Sequence, residues 1–230
     1  MIHTAAPRGT ARLPAWDKLV ARRLLLAPPP WRSIGRDRLT VVLHTFQTRG
    51  AYESLRREGV LAGDSTRAIP EFREAYAWMS TQMGRHRLGG GAGEIIWLWA
   101  NITRRHLRRA ARDCSGEVLL SVQVARDRAL FSDFNAWHDV LNRVLHVPRE
   151  RGENAEAWDA RWEELDNAFR ARAEPYDDQP LATWPIELRA ELETSWEAIF
   201  DPATWPRYGD RQATMRVLRA EDVVRAVRIR

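Results

Sequence analysis

The chain has 230 residues, 44% hydrophobic and 29% charged, with 11 tryptophans, one cysteine and a formal net charge of +5. That length is enough to bury a sizeable core in one large domain or two small ones, and a lone Cys114 excludes an internal disulfide and any cysteine-based metal cluster. No apolar run approaches the ~20 residues of a membrane span, and the single thiol suits a reducing cytoplasmic setting.

Residues 1–38 are rich in Ala, Arg and Pro. The first 40 residues hold eight basic groups against Asp17 and Asp37, so the positive balance of the chain is concentrated there. Leu19 to Leu26 offers a short helix without a polar and an apolar face, and Pro28, Pro29 and Pro30 break it. Four apolar residues before those prolines are too few for a signal h-region. This stretch reads as an extension, either a docking arm or sequence upstream of the fold.

Val41, Val42 and Leu43 predict a buried strand with His44 and Thr45 at its end. Residues 50–58 have helical spacing through Ala51, Tyr52 and Leu55, and Gly59 stands where a left-handed C-cap belongs. A ring and a hydroxyl at a strand end, opposite a short helix, can form a nucleotide-sized cleft. The same pattern describes a plain strand–helix unit whose His caps a turn.

Pro70 suits a first helical turn, and Phe72, Ala75, Tyr76, Met79 and Met83 then predict an amphipathic core helix. The glycines of 84–93 suggest a phosphate loop, but the Gly-Lys-Ser/Thr ending is missing, so a mobile loop is expected. Residues 95–99 form a short strand with Trp97 and Trp99 on one face. In ITRRHLRRAARD, a helix would align Arg104, Arg105, Arg108, Arg109 and Arg112. Residues 84–112 carry seven arginines against Glu94, which suits DNA or RNA phosphates or, equally, a solvated basic face.

Val118, Leu120, Val122 and Val124 alternate along a strand. Ser132 or Asp133 then caps a helix with Phe134, Trp137, Leu141 and Val144 inward and His138, Asp139 and Asn142 outward. Asn154 caps another, with Trp158, Trp162, Leu165 and Phe169 on one stripe. Residues 150–201 hold fifteen acids against five arginines, an acidic flank. A loop over 175–185 leads to a last helix marked by Leu188, Leu192, Trp196 and Ile199. Residues 212–218 and 223–229 read as two closing strands around a turn at 220–222. This order predicts an α+β fold: one domain over 39–230, a twisted mixed β-sheet with helices around it. No metal-ligand spacing, nucleophile elbow or internal repeat occurs, and no metal is expected.

Four blocks carry a resemblance: LHTFQTRGAYESLRREGVL, IIWLWANITRR, VLLSVQVARDRALFSDFNAWHDVLN and RQATMRVLRAEDVVRAVRI. Together they resemble a bacterial domain family of unknown function across 39–230. A strand ending in His-Thr, a helix closing on Gly-Val-Leu and a late strand beginning Arg-Gln-Ala also resemble the DarT-type DNA ADP-ribosyltransferases. That second resemblance implies an ADP-ribosyltransferase-like fold using NAD. By position, His44 and Thr45 match its ribose-binding motif, with Gln47, Trp99 and Arg104 or Arg105 as further cofactor-binding candidates. Arg105, Arg108, Arg109 and Arg112 are candidates for nucleic acid.

The late-strand motif departs from the family. Where a glutamate is expected after Arg211, Gln212 and Ala213, this chain has Thr214. A carboxylate offsets the positive charge that develops as the glycosidic bond of NAD breaks, and a hydroxyl does not. Gln212 and Thr214 are therefore the catalytic candidates, with Asp133, Asp139 or Asp210 as a substitute acid. Two functions remain in view: a divergent NAD-dependent transferase acting on nucleic acid or a nucleotide, and a non-catalytic nucleotide- or nucleic-acid-binding module. A nuclease, the third class, lacks clustered metal ligands.

Overall fold

The computed structural model describes residues 40–64, 68–89, 95–102, 104–207 and 209–229. The N-terminal extension, glycines 90, 91 and 93, and the side chains of Arg104 and Arg108 lie outside this description.

The β-branched run at the start of the fold forms β1 (Thr40–Gln47), and Thr48 then caps α1 (Arg49–Glu58) by accepting from the Ala51 N–H at 3.2 Å. Gly59 closes that helix at φ 77°, the left-handed conformation expected from its position. After β2 (Val60–Ala62) come α2 (Arg73–Arg85), β3 (Ile96–Asn101), α3 (Arg104–Asp113), β4 (Val118–Ala125) and β5 (Leu130–Asp133). The chain ends through β6 (Arg211–Met215), β7 (Val217–Arg219) and β8 (Val223–Arg228).

Six strands make one sheet in the order β5-β6-β3-β1-β4-β8, and β2 pairs with β7 in a separate ribbon. The pairings β1–β3, β1–β4, β3–β6 and β4–β8 are all antiparallel. The fold is thus α+β as expected, but the sheet is mostly antiparallel where the sequence suggested a mixed one. Each of these neighbouring strands runs back against its partner, and one face carries the apolar alternation that such sheets need. On that face Leu43, Leu98, Leu120, Val122, Ala213 and Met215 form a buried cluster with Leu55 of α1.

Several boundaries differ from the sequence reading. The helix expected to be capped by Ser132 or Asp133 is only Trp137–Leu141, because those two residues end β5. β1 runs on through Gln47, so His44 is mid-strand and not at its end. The closing strand expected over 212–218 is split at Arg216, and β6 and β7 join different sheets. Arg216 is buried, and its guanidinium donates to the Ser80 carbonyl at 2.8 Å, the Ser80 hydroxyl at 3.2 Å and the Leu88 carbonyl at 3.3 Å. Its own carbonyl accepts from the Gly63 N–H at 3.0 Å.

Gly63 sits where backbones meet. A Cβ there would collide with the nitrogen, carbonyl carbon and carbonyl oxygen of Ile95, all rigid main-chain atoms. Gly63→Ala should therefore cost about 2 kcal/mol through overpacking. A urea midpoint equal to that of the unaltered chain would show that Ile95 gives way freely.

The described residues gather into two compact units, one up to Phe131 plus those from Asp210 onward, the other Ser132–Gly209. The second contains α4 (Trp137–Leu141), α5 (Ala155–Ala173) and α6 (Ile186–Trp196). Trp137 and Trp196 are fully buried, and the Trp196 indole donates to the Val144 carbonyl at 2.8 Å. Asn154 caps α5 by accepting from the Ala157 N–H at 2.8 Å, as its position predicts. The acidic flank is partly answered inside this unit by Arg161 to Glu153, Arg170 to Asp166, Arg172 to Glu191 and Arg189 to Glu193.

Candidate functional site

Strand register sorts the candidate residues onto two faces. His44 pairs across with Trp99 on one side and Ser121 on the other, and Trp99 pairs with Gln212. Paired residues project to the same face, so Gln212, Trp99, His44 and Ser121 form one row across four strands. Thr214 and Trp97 occupy the neighbouring row of that face, two residues along β6 and β3. Thr45 and Gln47 alternate to the opposite face. The sequence candidates are therefore brought together in two groups and not in one.

The His44 row is closed to solvent. His44 is 9% exposed, Trp99 7% and Gln212 0%. The His44 Nδ1 and the Ser121 hydroxyl share a hydrogen bond of 3.1 Å. Burial lowers the imidazole pKa from 6.5 to about 4, so the ring is neutral near pH 7. Thr214 is also fully buried, with its hydroxyl 3.9 Å from the Met79 sulfur of α2. No carboxylate stands at position 214, and the side chain there packs against a thioether.

A cavity of about 540 Å³ at the end of β1 takes lining from both faces, Thr45 and Gln47 from one and Phe46 and Trp97 from the other. Thr45, Gln47 and Thr48 line it, together with Gly63 and Asp64 after β2, Tyr76 of α2, Trp97 of β3 and Glu117 before β4. The Gln47 amide donates to the Thr45 hydroxyl at 2.9 Å, which fixes both polar groups at the wall. Tyr76 and Trp97 meet edge to face with ring centroids 5.7 Å apart. Burial raises the Tyr76 pKa, and a hydrogen bond with the Trp97 side chain partly offsets that, so the phenol stays protonated.

Glu117 and Asp64 are the acids that the sequence reading missed. Glu117 precedes the clear alternation of β4, and its value as a site residue depends on the strand end beside it. The Glu117 carboxylate also interacts with Cys114, whose thiol is pushed up by burial and by that acid. Tyr76 and Trp97 had been read as core and as an aromatic strand. Both are largely buried, and both also reach the cavity wall.

The remaining candidates have other settings. Asp133 ends β5 in the helical unit, where its carboxylate accepts from the Asn135 and Ala136 N–H groups at 2.9 and 3.0 Å. Asp139 binds the His146 Nδ1 at 2.8 Å within the same unit. Asp210 is buried just before β6. On α3, Arg105, Arg109 and Arg112 are exposed, while Leu107 and Ala111 are buried.

The sequence profile of the domain of unknown function DUF3841 matches residues 42–224. This chain belongs to that family. The DUF3841 match spans β1 through the start of β8 and so includes the whole cavity wall. No curated protein and no solved structure matches the chain. Among the described residues of this DUF3841 chain, no group of three or more His, Cys, Asp and Glu is placed to hold a metal ion. No helix among them is long and apolar enough to cross a membrane.

Proposed function

We propose that this DUF3841 domain binds a nucleotide, with NAD as the first candidate, as an ADP-ribosyltransferase-like module that lacks the transfer step. The observation that carries the reading is the cavity at the end of β1, which gathers Thr45 and Gln47 with Tyr76, Trp97 and Glu117. Its volume of about 540 Å³ falls within the 300–1,000 Å³ range typical of small-molecule sites. Trp97 and Tyr76 supply aromatic surface for a base or nicotinamide ring. A carboxylate accepts two hydrogen bonds at once, so Glu117 suits the two hydroxyls of a ribose. Thr48 and Ala51 bring the positive end of α1 to the wall, where a phosphate is favoured.

Transfer chemistry asks for more. Breaking the bond between ribose and nicotinamide builds positive charge on the sugar, and a carboxylate fixed beside it is the usual source of rate. Thr214 occupies the position where the resemblance expects that acid, and it is buried against Met79. His44 is neutral and bonded to Ser121, which suits a structural or orienting part.

Calorimetry with NAD and with adenosine tests the reading. NAD should bind the unaltered chain without release of nicotinamide. Glu117→Gln and Gln47→Ala should each weaken binding about tenfold, the effect of losing one hydrogen bond to a buried ligand hydroxyl. Absence of heat with both ligands at millimolar concentration would remove the nucleotide from the cavity.

A further inference from the structure

From the arginines of α3 we infer a second binding surface, apart from the cavity, that docks the phosphodiester backbone of a nucleic acid. Arg105, Arg109 and Arg112 are exposed and separated by four and three residues, so they share one face of a ten-residue helix. Leu107, Ala111 and then Cys114 are buried on the other side, which fixes the rotation of α3 and holds the basic face outward. None of these three arginines makes an ion pair among the described residues. They differ in this from eight arginines of other elements. Arg49, Arg57, Arg128, Arg161, Arg170, Arg172, Arg189 and Arg219 each lie within salt-bridge distance of a carboxylate.

Spacing favours a regular polyanion. At 1.5 Å per residue, Arg105 and Arg112 stand about 10 Å apart along the axis. Three phosphate steps of a duplex strand, at roughly 3.4 Å each, cover the same length. The surface also continues past the helix. Gly116 and Glu117 exchange backbone hydrogen bonds with Ile229 at 3.1 and 2.8 Å, which brings the exposed Arg228 beside the turn that closes α3. Guanidinium groups grip phosphate oxygens in a fork, and such backbone contacts position a duplex without reading its sequence. Docking is therefore indifferent to sequence.

The test uses the full chain and fluorescent 20-residue oligonucleotides as duplex DNA, duplex RNA and single strands, titrated between 50 and 200 mM salt. Changing Arg105, Arg109 and Arg112 together to Ala should lower the salt slope on duplex DNA by about 2.7, at roughly 0.9 per phosphate contact. The corresponding triple Lys variant should keep most of the slope, because charge and not packing carries the effect. All three residues are exposed, so an unchanged thermal midpoint is expected in both variants. An unaltered slope in the Ala variant, or no binding of any oligonucleotide by the native chain at 50 mM salt, would overturn the inference. Tighter capture of the chain by phosphatidylserine vesicles than by any nucleic acid, lost in the same Ala variant, would overturn it in favour of a membrane surface. The order of affinity among the three oligonucleotides then identifies which nucleic acid the surface favours.

Discussion

Lowering the pH from 7 to 4.5 should cost this protein roughly 2.4 kcal/mol of stability through His44 alone. Its imidazole is mid-strand in a closed row, and burial brings its pKa from 6.5 down to about 4. Above pH 6.5 the ring is neutral in both the folded and the unfolded chain, and it contributes no pH dependence. Below that value the unfolded chain takes up a proton that the folded chain refuses. Stability then falls by about 1.4 kcal/mol per pH unit until the folded ring itself protonates near pH 4. His44→Gln keeps a polar group facing Ser121 but does not titrate. Urea unfolding at both pH values should show a drop smaller by more than about 2 kcal/mol in the variant. Equal drops in the two proteins would mean that the ring already reaches solvent in the folded state. The same measurement bears on function, because a ring that stays neutral offers a ligand hydrogen bonds and no charge.

Local signals in the sequence were read correctly where local physics sets the outcome. Leu55 and Gly59 mark the buried side and the end of α1 through periodicity and capping alone, whereas its N-cap Thr48 was not singled out. Val118 to Val124 alternate because one face of β4 is core, and Trp97 and Trp99 share a face for the same reason. The α2 stripe is also real, since Ala75, Met79 and Met83 are buried. What the sequence conceals is set by pairing. His44 and Thr45 are adjacent in the chain and were grouped as one motif. In a strand, adjacent residues serve opposite faces, and once β1 extends to Gln47 the pair is divided between the two faces of the sheet. Arg216 interrupts what reads as one alternating strand, because its side chain is drawn to the Ser80 and Leu88 carbonyls. Glu117 has no local signature at all. It becomes a cavity residue only because β4 pairs with β1 in a register that sets Val118 opposite Gln47.

Placing the expected carboxylate at position 214 should cripple the fold before it creates an enzyme. Thr214 is 0% exposed, and its hydroxyl has the Met79 sulfur for a neighbour at 3.9 Å. Thr214→Glu would push a longer, ionisable side chain against α2, where no arginine faces it in the neighbouring strand. Trp97 is its partner on β3, in the row beside that of His44. A carboxylate buried without a partner costs about 4 kcal/mol, or it avoids part of that by holding its proton, which removes the charge that catalysis needs. For a chain of this size the thermal midpoint should fall by about 10 °C. Thr214→Val supplies the control, since a hydroxyl set against a thioether contributes little, and its midpoint should stay within about 3 °C of the native value. Neither variant should release nicotinamide from NAD. A Thr214→Glu protein that keeps its native midpoint and liberates nicotinamide would place position 214 at the ligand. The module would then be a transferase disabled by one side chain.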